Sequence, residues 1–238
     1  MGKNILEDKS YLEVTYSLKT HPKGPYPSRL ACHLIRNYYG RPGKILDIGC
    51  GRGDYLQVFK DLGFEVSGVD ISPSIVDMSG KFDVSRVDLE KDDFPYSSES
   101  FDFIFSKSVV EHMRNPFALM EKSYTGLKKG GVAVIMTPSW EHNYWGPFYI
   151  DHTHVTPFTR ASLTESMVIA GYKDVEVIYF HQLPFVWKYP MFKPFVRLLS
   201  AMPLSYRPFN QDAKWPEGFN KLVRFSKEVM LLGVGHKE

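Results

Sequence analysis

Lys44-Ile45-Leu46-Asp47-Ile48-Gly49-Cys50-Gly51-Arg52-Gly53-Asp54-Tyr55-Leu56 is the stretch that decides how this chain folds. An apolar strand runs into a glycine-rich turn and straight out into a helix. Gly49, Gly51 and Gly53 let the backbone approach a ligand with no Cβ in the way. Gly49 and Gly51 can also take dihedrals that other residues resist. Amides exposed at the helix start can donate to polar or anionic groups. Asp47, at the strand end, is an acceptor for a cationic or hydroxyl-bearing ligand. Something small is held here.

The pairing of strand and acid recurs downstream. Phe64-Glu65-Val66-Ser67-Gly68-Val69-Asp70 is a second strand ending in a carboxylate, which can accept from both hydroxyls of a ribose. Ile71 can lie on an adenine face. Ser72 and Pro73 open the next helix as N-cap and first-turn proline. Phe82 to Leu89 is a third strand, ending at Asp88. The fourth, Phe101 to Ser106, leads into Lys107-Ser108-Val109-Val110-Glu111-His112.

A dinucleotide-binding turn reads G-x-G-x-x-G. The D-x-G-x-G-x-G spacing here instead resembles motif I of the class I S-adenosylmethionine-dependent methyltransferases. The four segments occur in that family's order, and the resemblance covers residues 40 to 180. It implies S-adenosyl-L-methionine as cofactor and S-adenosyl-L-homocysteine as product. By the same resemblance the cofactor residues are Asp47, Gly49, Gly51, Gly53, Asp70, Ile71, Asp88, Leu89 and Ser106. Asp88 would accept from the adenine amine, and the segment from Lys107 to His112 would line the methionine end.

The chain has 238 residues, 43% of them hydrophobic, enough for one sizeable domain with an insertion. No apolar run approaches the ~20 residues needed to cross a bilayer. The first eight residues are too charged for a signal peptide. Cys32 and Cys50 are the only cysteines, so a disulfide framework is not expected and a cytoplasmic setting is.

Strands alternating with helices imply an α/β, Rossmann-like, mostly parallel sheet with helices on both faces. The expected divisions are an N-terminal lid or helical segment (1–40), a cofactor-binding core (41–182), an insertion or cap (183–226) and a final core strand (227–238). Residues 28–39 read as a helix packed on the sheet, with Leu30, Leu34 and Ile35 on one face. Asn115 is the expected N-cap of the helix after the fourth strand, and Gly130 its terminator. Helix 159–170 ends at Gly171, and 172–180 alternates like a strand. In the resembled fold the last strand, from Glu228 to His236, inserts antiparallel and makes the seventh.

Ligands in open α/β sheets sit beyond the carboxyl ends of the strands. Glu111 and His112 are therefore expected near the long aromatic loop from Trp140 to His154. Transfer from a sulfonium needs mainly positioning and desolvation. A hydroxyl acceptor also needs a base, and histidine suits this near neutral pH. His154 is the first candidate and His112 the second, with Asp151 or Glu111 orienting the imidazole. Asp151, His152, His154 and His142 could ligate a metal, but two histidines one residue apart face away from each other in an extended segment, so none is expected. Cys50 reads as a small turn-filling residue.

The segment from Pro184 to Lys227 carries Lys188, Lys193, Arg197, Arg207, Lys214, Lys221, Arg224 and Lys227 against Asp212 and Glu217. Aromatics interleave with these cations. Such a segment suits an anionic membrane surface, a phosphate-bearing substrate or single-stranded nucleic acid. A cap packed over the sheet is the plain alternative. Frequent prolines argue against a continuous amphipathic helix, so a phosphate-bearing or glycan substrate is favoured. Peripheral membrane contact stays open, and no nucleic acid is expected. The expected activity is methyl transfer to a small acceptor, most simply a hydroxyl of a sugar or glycan precursor. A quinone or lipid methyltransferase, a non-catalytic nucleoside binder and a nicotinamide-dependent oxidoreductase are the alternatives.

Overall fold

The computed structural model describes residues 24–144, 147–204 and 218–238. Seven strands form one sheet in the order β3-β2-β1-β4-β5-β7-β6. They are β1 (Lys44–Ile48), β2 (Glu65–Asp70), β3 (Asp83–Arg86), β4 (Phe101–Lys107), β5 (Leu127–Pro138), β6 (Lys173–Phe180) and β7 (Met230–His236). Neighbouring strands from β3 through β5 pair in parallel, while β7 lies antiparallel between β5 and β6. The expected architecture is the observed one.

Side chains alternate between faces along each strand. Ile45, Phe103, Phe105 and Val134 meet α1 (Tyr26–Leu34) and α2 (Asp54–Asp61) on one face, through Leu30, Leu34, Leu56 and Phe59. Leu46, Ile48, Ile104 and Ile135 meet α3 (Phe117–Gly126) and α5 (Arg160–Ile169) on the other, through Leu119, Met120, Leu163 and Met167. Both faces are covered, which is why the central strands are nearly all apolar. The chain also forms a one-turn α4 (Trp140–Asn143) after β5. Beyond β6 come α6 (Pro184–Lys188), α7 (Lys193–Ala201) and α8 (Gly218–Lys227).

Several boundaries differ from the sequence reading. The helix expected over 28–39 is α helix only to Leu34, and then widens into a π turn over Ile35–Tyr39. Pro116, not Asn115, takes the cap position of α3, and the helix ends at Gly126 rather than Gly130. A Cβ on Gly126 would lie 2.9 Å from the Phe94 ring, and Leu127 is already paired with Phe101 as strand. β3 stops at Arg86, so Asp88 lies past the strand rather than at its end. Ser72 caps as expected, but the element it opens is a 3-10 turn over Pro73–Met78. The expected lid residues before 24, Trp145 and Gly146, and the middle of the insertion (205–217) lie outside the described residues.

Candidate functional site

The glycine turn leaves β1 at the carboxyl edge of the sheet. Gly49, Gly51 and Gly53 have φ of +79°, +47° and +73°, a region other residues enter at a cost. The Gly49 N–H donates to the Val69 carbonyl at 2.8 Å, tying the turn to β2. Asp70 braces it from the other side. Its Oδ2 accepts from the Gly51 N–H and its Oδ1 from the Ser72 N–H, each at 2.8 Å. A carboxylate oxygen can take more than one donor, so these bonds leave capacity for ribose hydroxyls. Ile71, beside it, is 59% exposed and apolar.

Asp47 is 1% exposed, and its Oδ2 accepts no hydrogen bond from the described residues. Burial, then the negative charges of Asp70 and Asp54, holds its pKa well above the usual carboxylate range. The buried Ser106 hydroxyl, at the end of β4, is likewise without a partner among the described residues. Each such orphan costs about 1–3 kcal/mol unless a ligand satisfies it. Two of them stand at the carboxyl ends of adjacent strands, beside a turn whose backbone is open to a ligand. That fits a ligand with a cationic group and several donors, such as an amino-acid nucleoside.

Asp88 is placed differently from its expected partners. Its carboxylate closes on its own turn, accepting from the Glu90 N–H at 3.0 Å and from Lys91 Nζ at 2.7 Å. The hydrogen bond from Lys91 holds its pKa below the usual range. Leu89, next to it, is buried in the core. Asp47 and Asp70 are brought together, with Asp54 as a third acid that sequence reading missed.

The turn after β4 and the aromatic loop after β5 meet as expected. The backbone carbonyl of Glu111 accepts from the N–H groups of Val155 (2.9 Å) and Thr156 (3.0 Å), and the Thr156 hydroxyl donates to the Met113 carbonyl at 2.6 Å. These bonds bring His154 against His112, ring centres 4.6 Å apart. His154 Nδ1 lies 2.6 Å from the Phe148 carbonyl. A carbonyl only accepts, so Nδ1 carries the proton and Nε2 is the basic nitrogen. His112 Nδ1 lies 2.7 Å from the Thr153 hydroxyl, which itself donates to Asp151 Oδ1 at 2.6 Å. His112 therefore also holds its proton on Nδ1.

Neither imidazole is held directly in the way expected of Asp151 or Glu111. Asp151 spends its Oδ1 on the Thr153 N–H and hydroxyl, and reaches His112 through that hydroxyl. Glu111 is fully buried and turns to the Thr137 hydroxyl at 2.9 Å, leaving Oε1 without a donor among the described residues. Burial raises its pKa to about 7, against the opposing pull of its hydrogen bonds and of Lys107. Burial and His154 push His112 down to about 4, and burial also lowers His154. Both histidines are thus neutral near pH 7.

The four residues weighed as metal ligands do not assemble. His152 is exposed, and His142 stacks on Tyr179 with its Nδ1 on Ser139. Among the described residues, Glu111, His112 and His154 form a set whose donor atoms fall within 4.8 Å of one another. Cys50 is buried with a raised pKa and fills space against Gly68, as a turn residue should. Sequence reading placed Lys107 only within the segment lining the methionine end, and missed Tyr55. Tyr55 packs 4.8 Å from Phe105 and shares its surroundings with Tyr26 and Asp47. The visible signal for Lys107 was a lysine closing an otherwise apolar strand. A cavity of about 250 Å³ lined by His33, His181, Trp187 and Lys193 shares no residue with this mouth.

A ubiquinone biosynthesis O-methyltransferase from Ruegeria pomeroyi is 29% identical over 106 residues, covering 40% of each chain. A tRNA U34 carboxymethyltransferase from Hahella chejuensis is 31% identical over 149 residues, 56% of this chain and 46% of that one. The chain thus spans less than half the length of these curated relatives. A solved SAM-dependent methyltransferase from Archaeoglobus fulgidus superposes with a TM-score of 0.61 at 22% identity, over 96% of this chain and all of the other. The profile of the family described as a methyltransferase domain matches residues 25–177. The chain belongs to that family of S-adenosylmethionine-dependent methyltransferases.

Proposed function

We propose that the chain transfers a methyl group from S-adenosylmethionine to a hydroxyl of a small acceptor, in the class of a sugar or glycan precursor. The observation that carries this is the convergence of a glycine turn, two buried polar groups without a partner among the described residues, and the His112–His154 pair on one edge of the sheet. Bound there, the cofactor would supply a methyl group on a positively charged sulfur. Asp70 would hold the ribose, Ile71 would cover the adenine, and Asp47 and the turn amides would receive the amino-acid end.

His154, with Nε2 as its basic nitrogen, would take the proton of the acceptor hydroxyl as the oxygen attacks. Support for a sugar-like acceptor comes from exposed rings on the loop, Tyr144 and Tyr149, beside polar groups that can meet hydroxyls. The family match favours this over the nicotinamide alternative, while a quinone or lipid methyltransferase would share the core motifs and differ in its acceptor.

Calorimetry with S-adenosylmethionine and S-adenosylhomocysteine tests cofactor binding. Binding of both is expected, and a folded protein that gives no heat at millimolar ligand would sink the reading. Release of S-adenosylhomocysteine on adding a panel of sugar-hydroxyl acceptors then separates an enzyme from a mere binder.

A further inference from the structure

The prolines that argued against an amphipathic helix fall where helices tolerate them. Pro184, Pro190 and Pro194 sit in the first turns of α6, of a 3-10 turn over Pro190–Phe192, and of α7. The amphipathic segment therefore forms. Val196 and Leu199 of α7 pack inward, and Val196 joins Leu183, Val186 and Phe225 in a core of its own.

The outward side of this segment is apolar too. Phe195 and Leu198 lie one turn apart on α7, with Met191 in the 3-10 turn before it and Met202 at its C-cap, and the four make one apolar stripe in sequence. They are 78%, 51%, 64% and 38% exposed. Around them Lys188, Lys193, Arg197 and Lys221 are exposed, and none of the four is in an ion pair among the described residues. Residues 184–204 and 218–227 contain no Asp or Glu at all. α6 leaves the carboxyl end of β6, and α8 leads into Met230, which stands opposite Pro138 and Phe180. The segment that carries the stripe thus begins and ends at the same edge of the sheet as the glycine turn and the histidine pair.

We propose that the α7–α8 face docks on a bilayer surface rich in anionic lipid. The stripe enters the boundary between headgroups and acyl chains, and the four cations meet the headgroups. An occupant of opposite charge is required, because a second copy of this chain would set like charges against each other. No helix among the described residues is long and apolar enough to cross a membrane, so the contact is peripheral. Docking stands independently of the proposed activity. Together the two imply an acceptor carried in the lipid layer, and that implication rests on the methyltransferase reading.

The test is co-sedimentation of the full chain with vesicles of phosphatidylcholine alone, and with vesicles of equal parts phosphatidylcholine and phosphatidylglycerol. The protein should pellet with the anionic vesicles, stay in solution with the neutral ones, and be released by high salt. Phe195→Glu with Leu198→Glu should lower the bound fraction about tenfold or more, as should Lys188→Glu with Lys193→Glu and Arg197→Glu. All these positions are exposed, so circular dichroism and S-adenosylmethionine affinity should not change. Wild-type protein that docks on anionic vesicles but binds no S-adenosylmethionine would instead count against the proposed function. Docking is overturned if wild-type protein ignores anionic vesicles, if both variants bind like wild type, or if ultracentrifugation shows a dimer that the Phe195 and Leu198 substitutions dissociate.

Discussion

The imidazoles of His112 and His154 meet edge to face, 4.6 Å between ring centres, and each directs its Nδ1 to a different acceptor outside the pair. One histidine comes after β4 and the other sits in the loop after β5, so the pair is made by the fold. Burial makes both imidazoles resist protonation, and the neighbouring His154 adds to that at His112.

His154→Ala should lower turnover by roughly 10²–10⁴-fold with S-adenosylmethionine affinity nearly intact. Because His154 titrates below its ordinary value, the acid limb of the turnover profile should lie below about 6.5. A limb near 7 would assign the proton to Glu111, and near-normal turnover in the variant would move the role to His112.

Glu111 makes stability depend on pH in a stated direction. Its folded pKa of about 7 lies above its unfolded value. Between the two, the folded protein keeps a proton that the unfolded chain has released, so stability falls as pH rises through that window. Glu111→Gln keeps an acceptor for Thr137 and removes the ionisation. The variant should gain about 1–3 kcal/mol over wild type at pH 8 and little at pH 4.5. Urea unfolding at both values checks this, and an equal difference at the two would contradict it.

Gly49→Ala places a Cβ 2.1 Å from Val109 Cγ2 at a φ of +79°. Strain and overpacking together should cost about 2–5 kcal/mol. Gly63→Ala meets nothing within 4 Å and carries only the backbone cost at φ +88°, about 1–2 kcal/mol. Thermal unfolding that ranks the two equally would show that Val109 yields freely.

Asp70→Ala removes the acceptor of the Gly51 and Ser72 amides as well as the proposed ribose contact. Cofactor binding should weaken by about 1.5–3 kcal/mol, read by calorimetry. Unchanged affinity would withdraw the ribose assignment.

The order and type of strands were legible because apolar runs ending in glycine or acid report the carboxyl edge directly. The proximity of Asp47, Asp70 and the glycines was legible for the same reason, since the register of β1 and β2 makes their strand ends neighbours. Asp88 was read as a strand end because Val87, Asp88 and Leu89 continue an alternating pattern. The chain instead spends the Asp88 carboxylate on Lys91, a local bond invisible to periodicity. What orients the histidines was also hidden, because a backbone carbonyl and a threonine relay leave no residue-type signature. Proline frequency misled about α7, since position within a helix matters more than number.

Among the described residues β6 has no strand neighbour but β7, and β7 is the last strand of the sheet to be synthesised. During translation the chain therefore exposes an open flank on β5, with β6 unable to join it, until residues 230–236 clear the ribosome. Assembly closes from the C-terminus inward, so a frameshift or nick near residue 230 would leave two sticky flanks for other nascent chains to find.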